Sequence, residues 1–326
     1  MGEVSLASES KKFQVSFSTM RWFDAQGGHF EDEGVFIDPS GNRKIDAVPQ
    51  HRHHVTLNVY RVDIGLKYQL GSQWSLEANL PYESRVQEAS IEKLDGVEYT
   101  KVQWDAIEEN GRIHHRNETY TGLTDSEVFL GHYRLGVFTE GDFLMGRIGT
   151  SIPFGKTEED PWVLGDAGLE HLHLQFGTGT FNPIVDLHYN LPIYKGFAAR
   201  TNLRAKLPFY ENSKTYRGSR ELTYTAGLNY RLNKWFSFQA GYLGIYQSYA
   251  YWDGEIDKNT GILFGLASLG TSIRTPFNVP LSLTLMLPLH QKTLYDDSET
   301  LADSKYEESD AFKFGPLVSL TVLYHF

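Results

Sequence analysis

Residues 281–290 read Leu-Ser-Leu-Thr-Leu-Met-Leu-Pro-Leu-His, so Leu281, Leu283, Leu285, Leu287 and Leu289 alternate with Ser282, Thr284, Met286, Pro288 and His290. A period of two is the period of a β-strand, and here it makes one face wholly apolar. The pattern recurs. Val62, Ile64, Leu66 and Tyr68 alternate with Arg61, Asp63, Gly65, Lys67 and Gln69, and Leu222, Tyr224, Ala226, Leu228 and Tyr230 alternate with Thr223, Thr225, Gly227, Asn229 and Arg231. Phe197, Ala199, Thr201, Leu203, Ala205 and Leu207 alternate with Ala198, Arg200, Asn202, Arg204 and Lys206. Each such strand needs an apolar medium on one side and a wet or charged one on the other. A soluble barrel turns the apolar side inward; a membrane barrel turns it outward.

Composition chooses between these orientations. The 326 residues include 19 Tyr, 20 Phe and 6 Trp. Tyr60, Tyr68, Trp74, Tyr82, Tyr230 and Trp235 are among the many that fall near the ends of alternating runs, where an interfacial aromatic belt would place them. Mean hydropathy is −0.38, and no run reaches the roughly 18–20 apolar residues of a membrane helix. Only helices and closed barrels satisfy their backbone within lipid, so a spanning chain of this kind must be a barrel. The last strand, Val318 to Phe326, alternates to a final aromatic preceded by Tyr324. That ending resembles the terminal signature of bacterial outer-membrane β-barrels, which implies that Tyr324 and Phe326 form a signal read by the assembly machinery.

Strand-like runs fall at 12–23, 52–70, 73–83, 123–138, 142–154, 170–193, 196–209, 221–232, 235–250, 261–274, 280–290 and 311–326. Short links near 71–72, 139–141, 194–196, 233–234 and 275–278 alternate with long ones at 24–51, 84–122, 155–169, 210–220, 251–260 and 291–310. This rhythm predicts an all-β, transmembrane, antiparallel up-and-down β-barrel of about twelve strands, with short periplasmic turns and long outer loops. A single domain over 1–326 is expected, with 1–11 as an N-terminal periplasmic segment. The expected location is the bacterial outer membrane, the chain being a mature form because no basic and apolar leader opens it. Absence of Cys suits export without disulfides. A net charge of −11 disfavours nucleic acid as a partner. The partners expected instead are outer-membrane lipid, lipopolysaccharide and a small-molecule permeant, with the chain acting as a monomer. No cofactor is expected.

In this orientation the charged registers line the lumen. Arg200, Arg204, Lys206 and Arg231, with Arg147 and Arg274, form candidate permeant contacts, and Asp63, Glu77 and Asp186 are their candidate counter-charges. Unpaired, they would make a basic, anion-selecting wall; paired, they would stiffen the interior. His171 and His173, at i and i+2, and His53 and His54 are candidate metal ligands, because same-face strand side chains can converge. His51 and the His114-His115 pair belong to the same constellation. Gly177 and Gly179 remove side-chain bulk, which suits a bend, a constriction or close approach of an inward-folded loop. No nucleophile elbow or metalloprotease helix is present, so no catalytic residue is assigned.

Leu80-Pro81-Tyr82, Gly122-Leu123-Thr124-Asp125, Ser151-Ile152-Pro153-Phe154-Gly155 and Gly177-Thr178-Gly179-Thr180-Phe181-Asn182-Pro183 follow in this order. Together they resemble the outer-membrane transporters of the phenol meta-cleavage type, with Thr124, Phe154 and Asn182 departing from the usual Gly, Thr and Asp. The resemblance runs from about residue 55 onward. It implies an outer-membrane barrel passing small, often aromatic, molecules. The function expected is a passive channel for small solutes, aromatic or anionic. The alternatives are a barrel-borne lipid hydrolase and a docking barrel for a periplasmic or extracellular partner.

Overall fold

The computed structural model describes residues 12–277, 279–294, 299–300, 307–308 and 313–326; the expected N-terminal segment 1–11 lies outside them. In chain order the elements are β1 (Phe13–Ile37), β2 (Arg43–Gln69), β3 (Trp74–Glu92), α1 (Lys101–His114), β4 (Glu118–Leu123), β5 (Ser126–Leu135) and β6 (Phe143–Ile152). Then come α2 (Pro161–Asp166), β7 (Pro183–Tyr194), β8 (Phe197–Lys206), β9 (Tyr216–Arg217), β10 (Glu221–Arg231) and β11 (Phe236–Gln247). Last are β12 (Ala250–Trp252), β13 (Glu255–Asp257), β14 (Ile262–Arg274), β15 (Pro280–Thr293), β16 (Glu299–Thr300), β17 (Glu307–Glu308) and β18 (Leu317–His325).

Thirteen strands form one antiparallel sheet, in which β4 and β5 share a single position beside β3. The sheet closes on itself, because β1 pairs with β18 and β2 pairs with β3, giving a barrel of twelve positions. Closure leaves the barrel wall itself without an open edge. The interruption between β4 and β5 has a local cause. Pro81, in the middle of β3, offers its carbonyl to the Thr124 amide at 3.2 Å, so its missing N–H faces the same gap.

The barrel is inside-out relative to a soluble one. Leu283, Leu285, Leu287 and Leu289 are exposed, Leu289 at 60%, while Ser282 and Thr284 between them are 8% exposed. Ile64, Leu66, Tyr68, Leu76 and Leu203 also face outward, and Asp186, Asn202 and Glu83 are buried.

Turns at one end fall at 70–73, 136–142, 195–196, 232–235 and between β14 and β15, at the places the alternation indicated. In the tightest, Lys195 and Gly196 both take positive φ, 37° and 89°, as a two-residue hairpin of matching twist requires.

At the other end the structure corrects three readings. Residues 24–51 are mostly strand, not a link: β1 and β2 run on as a ribbon to a turn at 38–42. Register shifts at Trp22/Ala25 and Glu31/Glu33 break the two-residue period there. The ribbon is covered by protein, with Val48 packing on Ala106 and Ile107 of α1, so no outward apolar alternation is needed. The 84–122 link is shortened by continuation of β3 to Glu92, and it carries α1, whose start is fixed by a Thr100–Gln103 capping box. Finally, 170–182 is not strand. Strand geometry begins only at Pro183, so His171 and His173 do not share a strand face and Gly177 and Gly179 do not bend one.

Candidate functional site

The inward registers of β2, β3 and β5–β8 build two ion-pair clusters, one around Glu83 and one around Asp186. Arg61 holds Asp63 at 2.8 Å and Glu83 at 3.1 Å, and Arg85 holds Glu83 at 2.7 Å. Lys67 and Arg147 share Glu77, at 2.8 and 2.7 Å, and Arg147 also pairs with Asp186. Arg204 reaches Glu127 at 2.6 Å and approaches Asp186 at 3.7 Å. Asp186 also receives Asn202 Nδ2 at 2.6 Å and lies 2.8 Å from His188 Nε2. Arg61 and Arg85 face Asp63 and Glu83 in the first, and Lys67, Arg147 and Arg204 face Glu77, Glu127 and Asp186 in the second, so the charges balance in each. Buried charges stay ionised only when they are paired in this way.

The other expected lumen residues sit apart. Arg200 donates to Asn190 at 3.1 Å, and Lys206 lies in register with Glu221. Arg231 and Arg274 are exposed at the short-turn end. A contiguous basic wall is therefore absent among the described residues. Glu83, Arg85 and Glu127 were legible only by extending the alternation of β3 past Pro81 and into β5.

The opposite wall is apolar toward the long-connection end. Ile262, Phe264 and Leu266 of β14 are buried with Leu243, Ile245, Met286, Trp22 and Phe314. Three aromatic rings pack together there at a tilt, with centroids 4.3 Å apart for Trp22–Phe314 and 5.1 Å for Phe264–Phe314. The Trp22 indole donates to the Gly315 carbonyl at 3.0 Å, which holds the segment before β18 against this wall.

Gly177 and Gly179 lie in the segment leading into β7, and space explains both. A Cβ on Gly177 would stand 2.2 Å from Asp125 Oδ1 and 2.7 Å from Gly155 Cα. Gly179, at φ +68°, lies against Asn212. Asp125 accepts from the Gly155 amide, the Thr178 amide and the Thr178 hydroxyl. Asn182 donates to Ser151 and Thr178. The sequence motifs thus meet at one knot, where close backbone approach requires glycine.

A histidine cluster joins the β1–β2 ribbon to the connections above it. His29 and His53 are cross-strand partners, and His51 and His53 occupy the same register of β2 as Arg61 and Asp63. His115, the C-cap of α1, completes a triangle with ring centroids 5.3 Å from His29 and 5.4 Å from His53. His114 packs on His171 at 4.4 Å, and His171 lies 5.0 Å from His173. His54 faces away, beside Arg52, and does not join. Burial holds His115 and His173 well below the usual histidine range and His114 down to about 3; neighbouring imidazoles push the same way. These rings are therefore neutral at pH 7. His29 gave no sequence signal, because the bulges beside it hide its register with His53.

No protein-family model and no curated protein sequence matches the chain. Among solved structures, it superimposes on an outer membrane channel from Pseudomonas putida F1 with a TM-score of 0.57, at 11% identity over 100% of both chains. At that identity the match shows the shared barrel fold. The P. putida toluene transporter TodX gives 0.44 at 10% identity, covering 99% of this chain and 92% of its own. The Ralstonia pickettii toluene transporter TbuX gives 0.40 at 9%, covering 97% and 90%, and both are too distant to carry an argument.

Proposed function

We propose that the protein is a bacterial outer-membrane channel that passes small, uncharged or apolar solutes, aromatic ones included, by passive diffusion. The observation that carries this reading is the inside-out barrel: exposed Leu283, Leu285 and Leu287 enclose buried Asp186, Glu83 and Asn202. Only lipid tails accept such an exterior without cost, and only a closed barrel can present it to them. The short turns would then face the periplasm and the longer connections lipopolysaccharide. One chain closes the barrel and suffices as the working unit.

The interior supports the permeant class. Balanced charges on one wall give an anion no net attraction, so the anionic reading is set aside. The patch around Phe264 and Trp22 offers an apolar surface for an aromatic ring. Motif resemblance to the meta-cleavage transporters points to the same chemistry, and a fold shared with an outer membrane channel supports the channel reading. Transport needs no chemistry, so no catalytic residue is assigned. Tyr324 and Phe326, packed edge-to-face with centroids 4.5 Å apart on the outer face, would serve as the assembly signal.

Uptake of labelled phenol or toluene by cells expressing the protein, whose lipopolysaccharide leaflet slows such solutes, tests the reading. Uptake should be several-fold faster than in cells lacking it, and a salt gradient across a planar bilayer should give a reversal potential near zero. Unchanged uptake with correctly inserted protein would overturn the channel reading. An anion-selective reversal potential would overturn the uncharged-solute assignment.

A further inference from the structure

We propose that His29, His53 and His115 form a binding site for one late first-row divalent transition-metal ion, of which zinc is the representative. Their ligand nitrogens all lie within 4.8 Å of one another. Around a tetrahedral zinc with Zn–N of about 2.0–2.1 Å, nitrogens stand about 3.4 Å apart, so small side-chain rotations close the triangle. An all-imidazole donor set suits zinc and its neighbours, not the oxygen-seeking calcium or magnesium.

A proton chain assigns the tautomer that such a site needs. The Pro49 carbonyl can only accept, so His51 Nδ1, 3.3 Å away, is the donor. His51 Nε2 is then bare and accepts from His53 Nε2 at 2.9 Å. That leaves the bare lone pair on His53 Nδ1, which is buried and has no hydrogen-bond partner among the described residues. A backbone carbonyl orienting one imidazole through another is the outer-shell arrangement that fixes metal-ligating histidines. Bound there, the ion would tie β1, β2 and the end of α1 together.

The test uses the full chain purified without a polyhistidine tag, stripped with chelator and titrated with zinc by calorimetry. Cobalt(II) serves as the spectroscopic stand-in, since tetrahedral nitrogen ligation gives intense visible absorption. One ion per chain is expected. His53→Gln and His115→Gln should weaken binding by more than the roughly 10–100-fold that loss of an outer-shell partner costs. His54→Gln, on the other face, should bind as wild type. If either buried variant fails to assemble, judged by its β-sheet circular dichroism, His29→Gln decides, since the His29 side chain is partly exposed. Absence of stoichiometric binding by the wild type, full affinity in His29→Gln, or equal loss in His54→Gln would each overturn the site.

Discussion

Asp125, in the break between β4 and β5, accepts hydrogen bonds from both the amide and the hydroxyl of Thr178, each at 2.8 Å. Two motifs far apart in the chain are thereby fastened at one buried carboxylate. Hydrogen bonds to a charged group contribute about 1.5–3 kcal/mol, so Asp125→Ala should destabilise the barrel by about that amount. It should also free the segment 176–182, and limited proteolysis there should accelerate. Unchanged protection would show that the glycine packing alone holds the segment.

Arg147 sits between Glu77 and Asp186, and removing it leaves two carboxylates facing an interior that no longer neutralises them. Breaking a buried pair from one side costs about 3–5 kcal/mol. Lys67, His188 and Asn202 retain part of the compensation, so Arg147→Met should cost about 3 kcal/mol in a denaturant unfolding series. Adding Asp186→Asn, which restores the balance and leaves Glu77 its Lys67 partner, should recover much of it. A double variant less stable than the single one would contradict the pairing.

Leu285 faces outward between buried Thr284 and partly buried Met286. Arginine near the bilayer midplane of a barrel costs roughly 2–4 kcal/mol. Leu285→Arg should therefore lower the unfolding free energy in lipid by that amount, while Thr284→Ser, inside, should change it little. Equal stability of Leu285→Arg and wild type would place this face against water.

The turn at 136–142 carries a titrating lock. Burial opposes ionisation of Asp142, but the amides of Phe138, Thr139 and Val137 and the Tyr189 hydroxyl outweigh it and hold the carboxyl down to about 2. A carboxylate whose pKa is lower folded than unfolded adds stability above its unfolded value, near 4, and loses it as pH falls toward 2. Asp142→Asn should lower stability at pH 7 and flatten the pH dependence between about 4 and 2. A variant with the wild-type slope in that window would assign the acid sensitivity elsewhere.

Period-two alternation determined the barrel, its outward leucines and the five short turns, because a closed single sheet sorts every strand residue to one of two faces, here apolar out and polar in. Leu283 and Ser282 obey this sorting without reference to any partner, so it can be read locally. The rest depends on protein meeting protein. Register shifts at Trp22/Ala25 and Glu31/Glu33 conceal the β1–β2 ribbon, and α1 covers it where that two-face sorting does not apply. Gly177 was visible as missing bulk, but only the approach of Asp125 and Gly155 says why. Arg204 and Arg147 were legible as lumen charges, yet their neutralisation by Glu127, Glu77 and Asp186 required neighbouring strands to be set in register. Likewise His29 and His115 stand far apart in the chain and meet only through the cross-strand pairing of His29 with His53 and the path of α1. Sorting between two faces acts on one residue at a time and is written in the sequence; pairing is a relation between distant residues, and only the closed ring brings them together.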